Sequence, residues 1–503
     1  MSRYEFEALS IQIGATETER RFVWIHPSDF SGARVRVAVK SDFTRDGGFT
    51  DANSMIVSGT AVPVRREEKL LSCKVRVLGL VPGEEYVYSV GCDETFSEEI
   101  YSFKILADLS RKQTFFLIGD LHINKYRRFA NAWDKDGTGA LRRFENTLSA
   151  GKSFGDECAF FLSVGDNISV GNMESDSFEH PEEYTKLLSV KLAFDEYREF
   201  LSVPSLKSLP FASVLGNHDA IELFDCDSEI GDVNSVFYDM PNDDGYTGHY
   251  LDIIDGKFDT VSTSSGDFWF KSGKALFVGV NAMARTSFNL TPCRTELHRS
   301  FIERAVAQCP DVRFRILLCH VPAYSYVVGV DSYVNDKGEV VPTERHVVEQ
   351  FFSALADDFG FDIVFTGHQH AFSRTYPISY GRVMTEGYTE NPRDTDIPSA
   401  TAINPKGVIH YNIPAACGHS FFSGLPEHPE LLYPSYGVTE DAYRAGVEQK
   451  TANYDKFQGV TYFSPGLTHV SIATDGEFDV MTIHTLRSDS GEAIDRLSIK
   501  KSI

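Results

Sequence analysis

The sequence predicts a two-part α/β protein, a small all-β sandwich leading into a larger domain in which strands and helices alternate. Three observations carry this expectation. Residues 1–108 consist of short runs rich in Val, Tyr and Phe with turn residues between them, the texture of a β-sandwich. From Thr114 onward, short apolar strands alternate with helix-like stretches, the pattern of an α/β sheet. The length of 503 residues allows roughly two to four domains at ~150 residues each. With 42% hydrophobic and 24% charged residues, the chain can bury a large core, and wholesale disorder is excluded.

In chain order, the first strands are expected at Arg21–His26, Ala33–Lys40, Cys73–Leu78, Glu85–Gly91 and Tyr101–Ile105, with β structure throughout residues 1–108. Val81-Pro82-Gly83 is a turn, because Pro presets φ and Gly tolerates φ > 0. Ala107–Lys112 is a polar joint, so the expected domains are 1–108 and 113–503. Helices are expected at Ala140–Ala150, Pro181–Ser202, Thr295–Gln308 and Thr343–Phe359. Residues 405–486 return to β character at Gly407–Ile413, Leu467–Ala473 and Phe478–Thr485. There is no internal repeat and no low-complexity tract.

Charge and cysteine usage remove several function classes. The 48 basic and 72 acidic residues give a net charge of −24, which disfavours nucleic acid and anionic membranes as partners. The longest apolar runs, such as Ala159–Val164, are far short of the ~18 residues of a membrane-crossing helix. The start, Met1-Ser2-Arg3-Tyr4-Glu5-Phe6-Glu7, has two acids and no apolar stretch, so as read it is no signal peptide and the expected location is cytoplasmic. The eight cysteines form no C-x-x-C pair, which argues against a thiolate zinc site and fits buried thiols in a reducing compartment.

The chemistry gathers at five strand ends. Phe115–Ile118 runs into Gly119-Asp120-Leu121-His122, and Phe160–Val164 into Gly165-Asp166-Asn167. Ala212–Leu215 runs into Gly216-Asn217-His218-Asp219, Arg315–Cys319 into His320, and Asp362–Thr366 into Gly367-His368-Gln369-His370. Ligand sites in open α/β sheets lie outside the carboxyl ends of strands, so Asp120, His122, Asp166, Asn217, His320, His368 and His370 are expected to meet. Mixed imidazole and carboxylate ligation suits Zn, Fe or Mn. Seven donors are too many for one open catalytic ion and about right for two ions bridged by a carboxylate, ~3.5–4 Å apart. His218 is then left as a candidate general acid, with Asp219 available to orient its imidazole. Taken singly, a G-D pair reads as a turn and a lone strand histidine as a core residue. Five such ends in one order point to a site.

This ordered set, D-x-H, G-D, G-N-H-D, H and G-H-x-H, resembles the calcineurin-like metallophosphoesterases, and the resemblance sharpens toward the purple acid phosphatases. Gly367-His368-Gln369-His370-Ala371-Phe372-Ser373-Arg374-Thr375-Tyr376-Pro377 is similar to their G-H-x-H-x-Y-E-R-x-x-P stretch, and His320-Val321-Pro322-Ala323-Tyr324 to their H-x-P-x-Y. Leu78–Tyr86 resembles the end of their fibronectin type III-like N-terminal domain. The resemblance implies a four-layer metallophosphoesterase sandwich, two β-sheets flanked by helices. It also implies one divalent ion (Mn, Zn or Fe) on Asp120, His122, Asp166 and His370, and a second on Asp166, Asn217, His320 and His368. Hydroxide between the ions would attack phosphorus in line, while His218 binds phosphate and protonates the leaving oxygen. The implied activity is hydrolysis of small phosphomonoesters; a diesterase on the same site and an inert binding module are the alternatives. The resemblance leaves the oligomeric state open.

Two departures from the purple family stand out. Ser169 occupies the place of the tyrosine ligand in G-D-x-x-Y, and His122 stands where the family's first motif ends in Gly. A phenolate favours ferric iron and gives the purple colour, so its exchange for imidazole implies a colourless centre of divalent ions. The family's further substrate-facing His has no counterpart in Ser325–Asn335. Separately, Asp134–Glu145 has the spacing of a calcium loop, with acids at positions 1, 3 and 12 and Gly139 at position 6. It is either an additional Ca site or a turn in which Asp136 or Thr138 caps the following helix. The ten acids between Ala220 and Gly256, with no Lys or Arg among them, read as a solvated face.

Overall fold

The computed structural model describes residues 6–27, 31–64, 67–123, 139–155, 157–169, 186–219, 233–245, 253–254, 257–258, 266–282, 292–324, 332–334, 340–342, 344–390, 399–416, 466–488 and 490–503. Two large sheets dominate it. The first, of 16 strands, has at its heart the parallel trio Lys112–Ile118, Phe161–Ser163 and Phe211–Ser213. On one side the antiparallel strands Gly466–Asp475, Phe478–Arg487 and Ala493–Ser502 extend it. On the other side Glu7–Ile13 joins in parallel, Gln12 opposite Phe211, and leads the ladder into Arg20–Pro27 and Glu67–Val77. The second sheet, of 7 strands, has four parallel members: Ala275–Val280, Phe314–Cys319, Ile363–Thr366 and Val408–Asn412.

The sheets pack because alternate residues of each strand are apolar on both sides. Phe115 stands edge-on to Phe277 at 5.1 Å, and Phe160 meets Phe270 at 5.5 Å, filling the space between the sheets. On Ala275–Val280, Ala275 and Phe277 face this inner core, whereas Leu276, Val278 and Val280 lie with Ile302, Ala305 and Leu355 from helices Pro292–Gln308 and Glu344–Asp358. That split is the period of 2 expected of a strand buried on both faces. On the first sheet's outer face, Phe116, Phe161 and Phe211 stack across the parallel trio at 5.7 and 5.3 Å. Phe144 of helix Gly139–Ser153 and Phe200 of helix Lys186–Phe200 cover them, 5.3 Å apart. Each such buried ring contributes about 1.5–3 kcal/mol. The layers are therefore helix, sheet, sheet, helix, and both parallel sets end on the same side.

The N-terminal residues are strand-rich, with a core of their own around Phe22, Trp24, Val35, Val75, Tyr88 and Phe103. They are not β throughout. Lys40–Asp46 is a short helix, closed by Gly47 at φ 71°, with the Arg45–Asp42 pair (3.0 Å) bridging one turn. Glycine at that C′ position stops the helix at no steric cost. Cys73, Cys92, Cys309 and Cys319 are buried as thiols, and Cys158 is a half-buried one. Among the described residues, no helix is long and apolar enough to cross a membrane.

Candidate metal centre

All seven expected donors come together at the common carboxyl end of the two sheets. Asp120 follows Lys112–Ile118, Asp166 follows Phe161–Ser163 and Asn217 follows Phe211–Ser213, all from the first sheet. His320 follows Phe314–Cys319, and His368 and His370 follow Ile363–Thr366, from the second. The turns are tied to one another through the backbone. Asp120 N–H donates to Gly165 O (2.9 Å), His122 N–H to Asp166 O (3.0 Å) and Gly367 N–H to His320 O (2.9 Å).

Donor atoms of Asp120, His122, Asp166 and His370 lie within 4.8 Å of one another, as do those of Asp166, His320 and His368. Asp166 belongs to both groups. His122 Nε2 is 2.9 Å from His370 Nε2, His320 Nε2 is 3.1 Å from Asp166 Oδ2 and 3.2 Å from Asn217 Oδ1, and His370 Nε2 is 3.4 Å from Asp120 Oδ1. Two donors bound to one ion at ~2.0–2.2 Å stand about 2.8–3.6 Å apart at octahedral to tetrahedral angles. The residues present thus fit the groups that a pair of ions requires. His320 Nδ1 faces Val164 O at 2.8 Å, which places the proton on Nδ1 and leaves Nε2 as the donor.

The local backbone is unusual. Asp120 (φ 52°), His122 (48°), Asp166 (54°), His368 (69°) and His370 (55°) all adopt the left-handed region. Non-glycine residues are uncommon there, with Asp, Asn and His tolerated best. Such conformations gather at functional sites, where the surroundings enforce them. Close approach also explains the glycines. A Cβ on Gly216 would lie 2.1 Å from Asp166 Oδ1.

The buried carboxylate and imidazoles interact strongly through their charges. Asp166 is buried; desolvation raises its pKa, but His320, His218 and His122 outweigh burial and hold the carboxyl well below its usual range. Burial lowers His320, yet the charge and hydrogen bond of Asp166 dominate and push it up to about 9. The two groups thus stabilise each other's charge.

His218 lies beside the cluster, Nε2 at 3.9 Å from Asp166 Oδ2 and its ring edge-on to His122 at 4.5 Å. Its pKa is lowered, chiefly by burial. Asp219 does not serve this ring in the way the sequence suggested. Its carboxylate accepts N–H bonds from Asp166 (2.7 Å), Asn167 (3.1 Å) and Gly216 (2.9 Å) and the Tyr197 hydroxyl at 3.1 Å. Four donors converge on it, so it organises the turns instead. Burial and the neighbouring Asp166 charge push it up to about 7.

Two residues of the G-D motif turn out to have structural partners that the sequence does not show. Asn167 accepts from Ser163 Oγ (2.7 Å) and donates to Ser213 Oγ (2.9 Å) and Tyr238 OH (3.2 Å). Ser169, in the place of the family's tyrosine, donates its backbone N–H to Glu196 Oε2 at 2.9 Å. Of the candidate calcium loop, Asp134 and Asp136 lie outside the described residues, and the Glu145 carboxylate accepts from Ser205 Oγ at 2.6 Å. Residues 325–331 lie outside them too. Most of the acidic run is likewise outside, but Asp239 is buried and paired with Arg21 and Arg76, not solvated.

The comparisons agree with this geometry. A family model described as calcineurin-like phosphoesterase matches residues 113–372. Among solved structures, the chain is similar to purple acid phosphatase PPD1 from yellow lupin (Lupinus luteus). Identity there is 13%, covering 99% of this chain and 75% of that one, with a TM-score of 0.61. β-Glucuronidase from Ruminococcus gnavus is 8% identical over 70% of this chain and 58% of that one, at a TM-score of 0.22, too low to signal a common fold. No curated protein matches in sequence.

Proposed function

This chain belongs to the calcineurin-like phosphoesterase family, and on that premise we propose that it hydrolyses small phosphomonoesters at a dinuclear metal centre. The observation that carries the reading is the convergence of buried Asp and His donors from both sheets into two groups that share Asp166. In this reading Asp120, His122, Asp166 and His370 hold one ion, and Asp166, Asn217, His320 and His368 hold the other. Bound divalent ions (Mn, Zn or Fe) would draw charge from the phosphoryl oxygens and lower the pKa of the attacking water.

The chain's own residues supply the rest. His218 N–H fixes Asp166 Oδ1 at 2.9 Å, leaving Oδ2 turned toward the imidazoles of His320, His122 and His218. His218 Nε2 is the group placed to bind phosphate and give a proton to the leaving oxygen. Burial lowers its pKa, and an arriving phosphoryl dianion favours the protonated ring again. Asp219 keeps the Asp166 and Gly216 backbones in register. The reading extends to the domains, with a fibronectin type III-like sandwich over 1–108 and the phosphoesterase domain over 113–503. The strand-rich N-terminus and the family match from residue 113 support it. It also places the protein in the cytoplasm, supported by the thiols.

The test is metal analysis of protein purified without added metal, followed by initial rates on paired mono- and diester model substrates. Two ions per chain and faster monoester turnover are expected. Faster diester turnover would assign the diesterase alternative, and two ions without turnover the inert one. A chain that holds no metal would overturn the reading.

A further inference from the structure

The N-terminal strands reach toward the centre through one short segment. Strand Glu7–Ile13 lies parallel to Phe211–Ser213, which leads into Gly216-Asn217-His218-Asp219. Beside this seam run residues 233–245, and N-terminal side chains take up the backbone of 236–240. Gln12 donates Nε2–H to Phe237 O at 2.7 Å and accepts Asp239 N–H at 2.8 Å. Ser72 Oγ donates to Val236 O (2.8 Å), Lys74 Nζ to Tyr238 O (2.6 Å) and Arg21 Nη1 to Met240 O (2.6 Å). The buried Asp239 carboxylate sits between Arg21 (3.3 Å) and Arg76 (2.6 and 3.1 Å), and Glu19 fixes Arg21 from behind at 2.8 Å.

The opposite side of the same segment touches the donors' neighbours. Tyr238 OH accepts from Asn167 Nδ2 at 3.2 Å, and Asn167 directly follows Asp166. The Tyr238 ring stands edge-on to Tyr197 at 5.5 Å, and Phe237 stacks on Tyr197 at 5.2 Å. Tyr197 donates to Asp219, which in turn holds the Asp166 and Gly216 N–H groups. Two contact routes therefore connect the segment around Asp239 to the Asp166 backbone, one through Asn167 and one through Tyr197 and Asp219. Both routes begin at residues 237–238.

We propose that Arg21, Arg76 and Asp239 are positioning residues for the metal centre: the N-terminal strands hold Tyr238 against Asn167 and Tyr197 and so fix the backbone that presents Asp166. This rests on Asp166 being the shared ligand of the proposed function. Direct hydrogen-bond partners of metal ligands are worth about 10–100-fold in metal affinity, and these residues act one or more contacts further out, so the lower end of that range is expected. The N-terminal strands would then be part of the catalytic scaffold, not a separable module.

The test is zinc affinity by chelator competition on the full chain, for wild type, Arg21→Met, Tyr238→Phe and the double variant. Each single change is expected to weaken the weaker-held ion by about tenfold. The double variant should lose little more than either alone, because Arg21 acts through Tyr238. Wild-type zinc affinity in the single variants overturns the inference, and so does a double loss of about a hundredfold, the product of independent effects. A purely structural clamp would lower the unfolding midpoint and leave zinc affinity unchanged. If Arg21→Met does not fold, Tyr238→Phe, which removes one oxygen, decides the matter by the same readout. A wild type that binds none of zinc, manganese or iron would bring down the proposed centre and this inference with it.

Discussion

Arg374 and Asp495 form a bidentate ion pair across the two sheets, Nε to Oδ2 at 3.0 Å and Nη2 to Oδ1 at 2.9 Å, with both side chains almost fully buried. Arg374 is on strand Ser373–Ser379 of the second sheet and Asp495 on Ala493–Ser502 of the first. Tyr411 OH also donates to Asp495 (3.2 Å), and Arg374 donates to Tyr388 OH. The arginine of the G-H-x-H stretch thus fastens the sheets that carry the two halves of the donor set. Asp495→Ala should cost about 3–5 kcal/mol, since it strands a buried guanidinium. Arg374→Met with Asp495→Leu should recover most of that loss. Urea unfolding midpoints read both outcomes.

Gly216 faces Asp166 with no room for a methyl group, the added Cβ falling 2.1 Å from Oδ1 and 2.5 Å from the backbone N. Gly216→Ala should displace the carboxylate, reduce bound metal and lower turnover by at least about 10²-fold, as misplacement of reacting groups does. Metal content and kcat of the purified variant check this.

His218→Ala should keep both ions and lose about 10²–10⁴ in kcat, the range of a general acid. The loss should shrink for esters whose leaving group needs no proton. Equal losses for good and poor leaving groups would remove the acid role.

In the proposed centre His122, 2.9 Å from His370, would supply an imidazole ligand, with Ser169 in the place of the tyrosine. His122→Ala should lose affinity for the ion on the Asp120 side, and the iron-loaded wild type should be colourless. A visible charge-transfer band in the oxidised iron form, or unchanged metal binding in the variant, would sink the exchange.

His410 is buried and its pKa is lowered by desolvation to about 3. The unfolded chain protonates it near 6.5. The neutral folded form is therefore fully stabilising above about pH 6.5, and stability falls as pH drops from there toward about 3. His410→Gln should remove up to about 1.4 kcal/mol per pH unit of this dependence between pH 6 and 4. Unfolding free energies of the two proteins across that range provide the comparison.

The donors were legible in the sequence because each is a local signal: an apolar strand, a glycine, then Asp, Asn or His. What joins them was not. Tyr197 and Tyr238 act through contacts between distant segments, and no spacing marks them; Asn167 stands in the G-D motif, but its partners Ser213 and Tyr238 do not follow from it. Adjacency in sequence assigns Asp219 to its neighbour His218, yet its carboxylate turns to backbone N–H groups on two strand ends. Strand Ser54–Val64 gives no strand signal because it is largely exposed and carries Gly59 and Pro63, so no alternation shows. Helix Lys40–Asp46 is hidden by the β texture around it, although Gly47 marks its end.

The order of strands in the first sheet also sets a timetable. Lys112–Ile118, which presents Asp120, is flanked by Gly466–Asp475, and Phe211–Ser213 is flanked by Glu7–Ile13. Pairings between segments so far apart along the chain form slowly, and during synthesis the last partner is made long after the first. Until Gly466–Asp475 docks, the Asp120 strand has an open edge of the kind that recruits other chains. Nascent chains are thus most vulnerable to aggregation just before synthesis of this region is complete.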